Sequence, residues 1–409
     1  MAGLSVDAAR LWSRLMEMAR IGAIPDDGSC RLTLSPADEE GRALFRGWCA
    51  ARGFSLIHDR IGNLFVRREG RDSATAPVVM GSHLDTQPTG GRFDGILGVL
   101  AGLEVLEVLA DADIVTDRPV EVAVWTNEEG ARFCPAMMGS GVHCGVHSLS
   151  DTYAITDKDG ISVGAEIARH GYLDGAEPGR HPIGAYVELH IEQGPLLEAN
   201  DKVIGIVTGG QAIRWYQVTL DGEETHAGPV PMALRRDPVP VLARVIDLVQ
   251  AAGATDDCAR ATVGVIATEP GSVNVVPGRI SLTVDLRHPD EAQLERMHQK
   301  FLRGIAALSG DSVEVRAENT WVSPMVRFDP GLVARVRASA AARDYPAQEI
   351  VSGAGHDAFH LARIVPTTMI FVPCRGGISH NPREYATPGH VAAGANVLLD
   401  VVLGLVGMS

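Results

Sequence analysis

The chain has 409 residues, 45% hydrophobic and 21% charged, with a formal net charge of −15. That length exceeds what one hydrophobic core usually serves, so two domains are expected. The acidic balance speaks against nucleic acid or an anionic membrane as partner, since both need a basic face. A small anionic substrate needs only a local Arg or His.

The predicted elements run as follows. Leu4 to Ile21 reads as an amphipathic helix, with Leu11, Leu15 and Met18 at helical spacing. Ser35-Pro36 with Asp38 and Glu39 marks the start of a second helix, ending near Arg52 before Gly53. "FSLIHDRIGNLFVRR" reads as a hairpin turning at Gly62-Asn63. "APVVMGSH" is a buried strand, "GILGVLAGLEVLEVLADA" a helix, and "PVEVAVWTNEEG" and "GAYVELHIEQG" two more buried strands. This alternation indicates an α/β domain whose crevice lies at the carboxyl ends of its strands. Residues 210–328 differ in texture. They read β-α-β-β-α-β, the order of a ferredoxin-like α+β domain, inserted into an α/β domain of residues 1–209 and 329–409. No secretory leader and no run of about 18 uncharged apolar residues stands out, so no membrane span is expected.

None of the six cysteines forms a CxxC pair, which suits a reducing, cytoplasmic compartment. Cys134 reads as a small buried hydrophobe, or alternatively as part of a site wall.

Five separate segments place metal-binding side chains beside glycines or turn residues: His83 and Asp85 in "GSHLDT", Asp94 in "GGRFDG", Glu128 and Glu129 in "TNEEGARF", His190 in "ELHIEQG" and His380 in "GISHNPRE". Histidines with carboxylates suit Zn²⁺, Mn²⁺, Co²⁺ or Ni²⁺ in a hydrolytic site. The adjacent pair Glu128-Glu129 can divide the labour, one oxygen donor for a metal and one base for water. On a strand His83 and Asp85 face the same side, so Asp85 can accept from the other nitrogen of His83. Each residue also has a plain reading: a loop histidine near a cap, a turn aspartate, a solvated acidic loop, a satisfied core histidine, a turn histidine. It is the five together that indicate a dinuclear site.

The segments "GSHLDTQPTGGRFDGILGVLAGLE", "TNEEGARF", "ELHIEQGPLLE", "THAGPVPM", "SVNVVPG", "DLRH", "GAGHDA" and "GISHNPRE" resemble the N-carbamoyl-amino-acid amidohydrolase family. That family takes in L-carbamoylases, β-ureidopropionases and allantoate amidohydrolases, within the dinuclear zinc aminoacylases and peptidases. The resemblance covers nearly the whole chain. It implies a catalytic α/β domain with a mixed central sheet, a dimerising insertion and two divalent metal ions per subunit. It implies that His83, Glu129, His190 and His380 bind the metals terminally and that Asp94 bridges them. Glu128 would be the general base, and Asp85 would orient His83. His226 would polarise the scissile carbonyl from the other subunit of a homodimer. Gln193, Asn274 and Arg287 would hold the substrate, with backbone donors around Gly355.

The implied reaction is hydrolysis of the ureido C–N bond of N-carbamoyl-β-alanine or an N-carbamoyl-L-α-amino acid to the amino acid, CO₂ and ammonia. Alternatives are an allantoate- or ureidoglycolate-type amidohydrolase, an aminoacylase, and a metal-dependent binding protein without catalysis. "THAGPVPM" departs from the family's commoner "HAGTTPM", losing two hydroxyls near His226 and stiffening the loop. With binding groups on both domains, the site is expected to assemble by closure about hinges near Thr208–Gly210 and Phe328–Asp329, which small-angle scattering with a substrate analogue would check as compaction.

Overall fold

A computed structural model describes residues 3–310 and 312–407. They form two compact units. One runs up to Gly209 and resumes at Arg327; the other is Gly210–Val326.

The first unit is built on a nine-stranded mixed sheet. Its central strands lie in the order Ile204–Gly210, Thr367–Val372, Ala185–Ile191, Val78–His83, Val120–Trp125, Leu64–Arg68, Ser55–His58. The middle four, Thr367–Val372 through Val120–Trp125, pair in parallel, and their flanking neighbours pair antiparallel. Every residue of those four strands is buried, which explains why most of their residues are apolar. On one face lie helices Ala8–Met18, Ile96–Asp111 and Pro388–Val406. Ile96–Asp111 is buried on all sides; its acids Glu104 and Glu107 are neutralised by Arg10 and Arg14.

Two local expectations are corrected. The first helix covers Ala8–Met18 rather than Leu4 to Ile21, because the Asp7 carboxylate caps the amides of Ala9 and Arg10. Beyond Met18 the chain leaves the helix and reaches Gly22 at φ +69°. Cys134 is exposed rather than buried, on the loop before helix Met138–His143. Helix Pro388–Val406 is long and apolar enough to cross a membrane, but it carries Asp400 and is not an uncharged run. It is apolar because it is a core helix: it packs on the Thr367–Val372 and Ala185–Ile191 strands. Its Asp400 pairs with Arg343, and Asn396 accepts the Val6 amide. The second helix starts as expected, with the Ser35 hydroxyl accepting from the Asp38 amide and Pro36 in the first turn.

The second unit is a four-stranded antiparallel sheet in the order Arg260–Glu269, Arg279–His288, Ala212–Asp221, Glu314–Ser323. Counted along the chain this is 2-3-1-4, the split arrangement that the β-α-β-β-α-β order requires. The last strand was expected to open at Asp311, which lies outside the described residues. Alternate residues Ile280, Leu282, Val284 and Leu286 point into a core with Val245, Val249, Met297 and Phe301 of the two helices.

Candidate metal centre

Strand register brings the candidate ligands together. His83 is paired with Trp125, so the chain leaving that neighbouring strand reaches Glu128 and Glu129 beside it. The register of Val78–Met80 against Ala185–Val187, continued three residues, sets His190 next to His83. His190 is paired in turn with Phe371, from which the chain runs on to Ser379 and His380. Asp94 arrives on the turn that opens helix Ile96–Asp111. All five elements therefore deliver their side chains at the carboxyl ends of the parallel strands.

The centre of the cluster is Asp94. Its Oδ1 lies 3.1 Å from His190 Nε2 and 3.7 Å from His83 Nε2. Its Oδ2 lies 3.2 Å from His380 Nε2, which is also 3.2 Å from Glu129 Oε2. Within each of the sets His83–Asp94–His190 and Asp94–Glu129–His380, one donor atom per residue falls within 4.8 Å of the others. Asp94 belongs to both and turns a different oxygen to each. Glu128 stands beside them, its Oε2 3.5 Å from His83 Nε2.

Surrounding groups fix these orientations. His190 Nδ1 is 2.9 Å from the Ile191 carbonyl, leaving Nε2 for Asp94. His83 Nδ1 is held at 2.9 Å by the carbonyl of Asp85. The Asp85 carboxylate is 3.8 Å from that nitrogen, so the bond to His83 comes from the backbone and not from the acid group. The carboxylate instead accepts the amides of Glu128 (3.3 Å) and Glu129 (3.2 Å). Gln193 donates to Asp94 Oδ2 at 2.8 Å. Asn127, Gln193 and His380 all hold left-handed backbone, with φ of 57°, 57° and 52°. Such conformations cost about 1–3 kcal/mol each and persist where the surroundings over-determine them. Gly95, at φ +73°, is required: a Cβ there would stand 2.3 Å from the His83 ring.

The electrostatics suit positive charge. Burial alone would push the Asp94 carboxyl up, but hydrogen bonds from His190 and His380 hold it well below the usual carboxylate range. Although burial opposes it, the bond to Asp94 raises His190 to about 9. Asp94 and then Glu129 raise His380 to about 11. His83 is lowered by burial. Burial, then the charges of Asp357, Glu129, Asp94 and Asp85, pushes the Glu128 carboxyl well above the range of an ordinary glutamate. A cluster that draws protons onto two histidines around a shared carboxylate has the donor set and the field for divalent cations.

Gly355 precedes the buried His356, whose ring centroid is 4.5 Å from that of His190. His226, Asn274 and Arg287 belong to the second unit. His226 is exposed on a short strand paired with Val275–Val276, next to Asn274, whose carbonyl accepts the Ala227 amide. The Gly228 amide donates to His226 Nδ1 at 3.0 Å, so the neutral ring carries its proton on Nε2. The Arg287 guanidinium is engaged with Asp285, Nη2 to Oδ2 at 2.6 Å.

Three residues near the cluster escaped the sequence reading. Gln87 donates backbone and side-chain N–H to the two oxygens of Glu129, at 3.1 and 2.8 Å. Ser379 and Glu384 bind Asp94 from the C-terminal segment. The only signal for Glu384 was an acid closing the "SHNPRE" turn, which reads equally well as a solvated loop.

Comparison with known proteins agrees with this architecture. The profile of peptidase family M20/M25/M40 matches residues 79–404. An N-carbamoyl-L-amino-acid amidohydrolase of Rhizobium meliloti is 46% identical, with 97% of this chain and 96% of that protein covered. An allantoate amidohydrolase of Bacillus subtilis is 35% identical, with 95% of each covered. The crystal structure of a hydantoinase/carbamoylase family amidase from Burkholderia multivorans is similar at a TM-score of 0.93 and 50% identity, covering 98% of both chains.

Proposed function

This chain belongs to peptidase family M20/M25/M40 and is a hydrolase of linear amide C–N bonds, and from that premise we propose that it cleaves the ureido bond of an N-carbamoyl amino acid. The products are the free amino acid, CO₂ and ammonia. The observation that carries the reading is Asp94 with one oxygen toward His83 and His190 and the other toward His380 and Glu129, with Glu128 alongside. Two divalent cations, Zn²⁺ or else Mn²⁺, Co²⁺ or Ni²⁺, suit these donors and when bound supply carbonyl polarisation and a more acidic water.

The chain's own residues do the rest. Glu128, its basicity raised by burial and by neighbouring carboxylates, takes a proton as water adds to the ureido carbon. It returns that proton to the departing nitrogen when the C–N bond breaks, and the carbamate left behind loses CO₂. The partner subunit's His226 donates Nε2–H to the oxyanion in a homodimer. Gln193 and Asn274 meet the ureido group, and backbone donors near Gly355 complete its binding. Arg287 takes the substrate carboxylate, sharing its planar fork with Asp285.

The test is ammonia release from N-carbamoyl-L-methionine, N-carbamoyl-β-alanine and allantoate by protein loaded with Mn²⁺, Co²⁺ or Zn²⁺. Turnover of an N-carbamoyl amino acid is expected. Turnover of allantoate alone would replace the proposed substrate, and silence on all three would refute a ureido substrate.

A further inference from the structure

Glu384 has no part in the chemistry above, yet it is 1% exposed next to the cluster. A carboxylate so buried persists only where its oxygens are well supplied with donors. Its Oε1 accepts the backbone amides of Phe93 at 2.9 Å and Asp94 at 3.1 Å. Its Oε2 accepts the Ser379 hydroxyl at 2.9 Å. The same hydroxyl lies 3.1 Å from Asp94 Oδ2, the oxygen that faces His380. Glu384 therefore holds Asp94 directly at its backbone amide, while its Oε2 and Asp94 Oδ2 share between them the single proton of the Ser379 hydroxyl. The sequence makes room for it at Gly91, where a Cβ would stand 2.2 Å from the Glu384 carboxyl group.

This grip bears on the one residue both donor sets share. An aspartate side chain has two rotatable bonds, and a modest turn would point both oxygens at one set. Gln193 donates to Oδ2, with the Ser379 hydroxyl beside that oxygen, which leaves Oδ1 directed at His190. We propose that Glu384 is a positioning residue that, with Ser379, holds Asp94 so that each oxygen serves a separate cation. The inference rests on the reading of Asp94 as a ligand shared by two cations.

A glutamine at 384 keeps an oxygen for the two amides and offers Nε2–H to Ser379 Oγ, whose own proton then serves Asp94. An alanine removes every one of these bonds. The experiment dialyses Mn²⁺-loaded wild type, Glu384→Ala, Glu384→Gln and Ser379→Ala against graded chelator. It reads Mn²⁺ per subunit, and the melting temperature with and without Mn²⁺. Wild type is expected to hold two ions. Outer groups that orient metal ligands are commonly worth 10–100-fold in affinity, so Glu384→Ala should lose that much at one ion, Ser379→Ala about tenfold, and Glu384→Gln under about threefold. Should Glu384→Ala not fold, Ser379→Ala decides, since it removes a single hydroxyl from a half-buried position. Wild-type Mn²⁺ retention in the alanine variants, with melting lowered equally with and without Mn²⁺, would make Glu384 a mere loop brace and overturn the inference while leaving two cations at Asp94. Fewer than two ions in wild type would overturn the reading beneath it as well.

Discussion

Replacing Asp85 by Asn separates two accounts of how this residue works. If its carboxylate orients His83, the amide should loosen a metal ligand. The distances point the other way: the carbonyl, which Asn keeps, holds His83, and the carboxylate holds the amides of Glu128 and Glu129. In the variant one of those amides faces an NH₂ group. Losing a buried hydrogen bond to a charged acceptor costs about 1.5–3 kcal/mol. Part of that is offset, because burial and the charges of Asp38 and Glu129 already push the Asp85 carboxyl well above its usual range, and a neutral amide relieves this. A net loss of about 1–2 kcal/mol in folding stability is expected. The larger effect is kinetic. Freed from its anchor, Glu128 shifts by a fraction of an ångström to an ångström, a misplacement that costs on the order of 100-fold in rate, or about 2.7 kcal/mol of barrier. Steady-state kinetics with metal content measured on the same sample reads both effects. The expected outcome is a fall in kcat with both metals kept. A variant that loses metal while keeping wild-type kcat per bound metal would refute this account and restore the carboxylate to His83.

Two further outcomes follow from the same geometry. Gly95→Ala places a methyl group against the His83 ring and a side chain at φ +73°; the backbone alone should cost about 1–3 kcal/mol, read by thermal melting, with metal retention reduced. Full stability and full metal content would show that His83 has room to move. Metal uptake near neutral pH should release about two protons, because His190 and His380, raised to about 9 and about 11, must give theirs up to bind a cation. Affinity should accordingly rise with pH from about 6 to 9, measured by titration calorimetry in buffers of different ionisation enthalpy. A proton-neutral uptake would mean these histidines are not the ligands.

Much of the fold was legible because burial wrote it into the chain. The strands ending at His83, Trp125 and Ile191 read as buried, mostly apolar segments, and Ser35-Pro36 and Gly62-Asn63 carry local punctuation that needs no tertiary context. The inserted sheet was readable from its alternation at Ile280, Leu282, Val284 and Leu286. What escaped depends on long-range register. Nothing local to "SHNPRE" says that Glu384 reaches the Phe93 and Asp94 amides from about 290 residues away. The sequence sets Asp85 beside His83, but two-residue spacing does not distinguish a carbonyl from a carboxylate as the partner. Apolar spacing alone runs the first helix past its ends, because it carries no sign of the Asp7 cap.

The central claim is that Glu128 moves the proton in hydrolysis of a ureido bond at this cluster. Its most direct test compares ammonia release from N-carbamoyl-L-methionine by wild type and Glu128→Gln at equal metal occupancy. Glutamine keeps the size of the side chain but cannot take a proton, so a fall of about 10²–10⁴-fold is expected. A fully loaded Glu128→Gln enzyme working at the wild-type rate would contradict it.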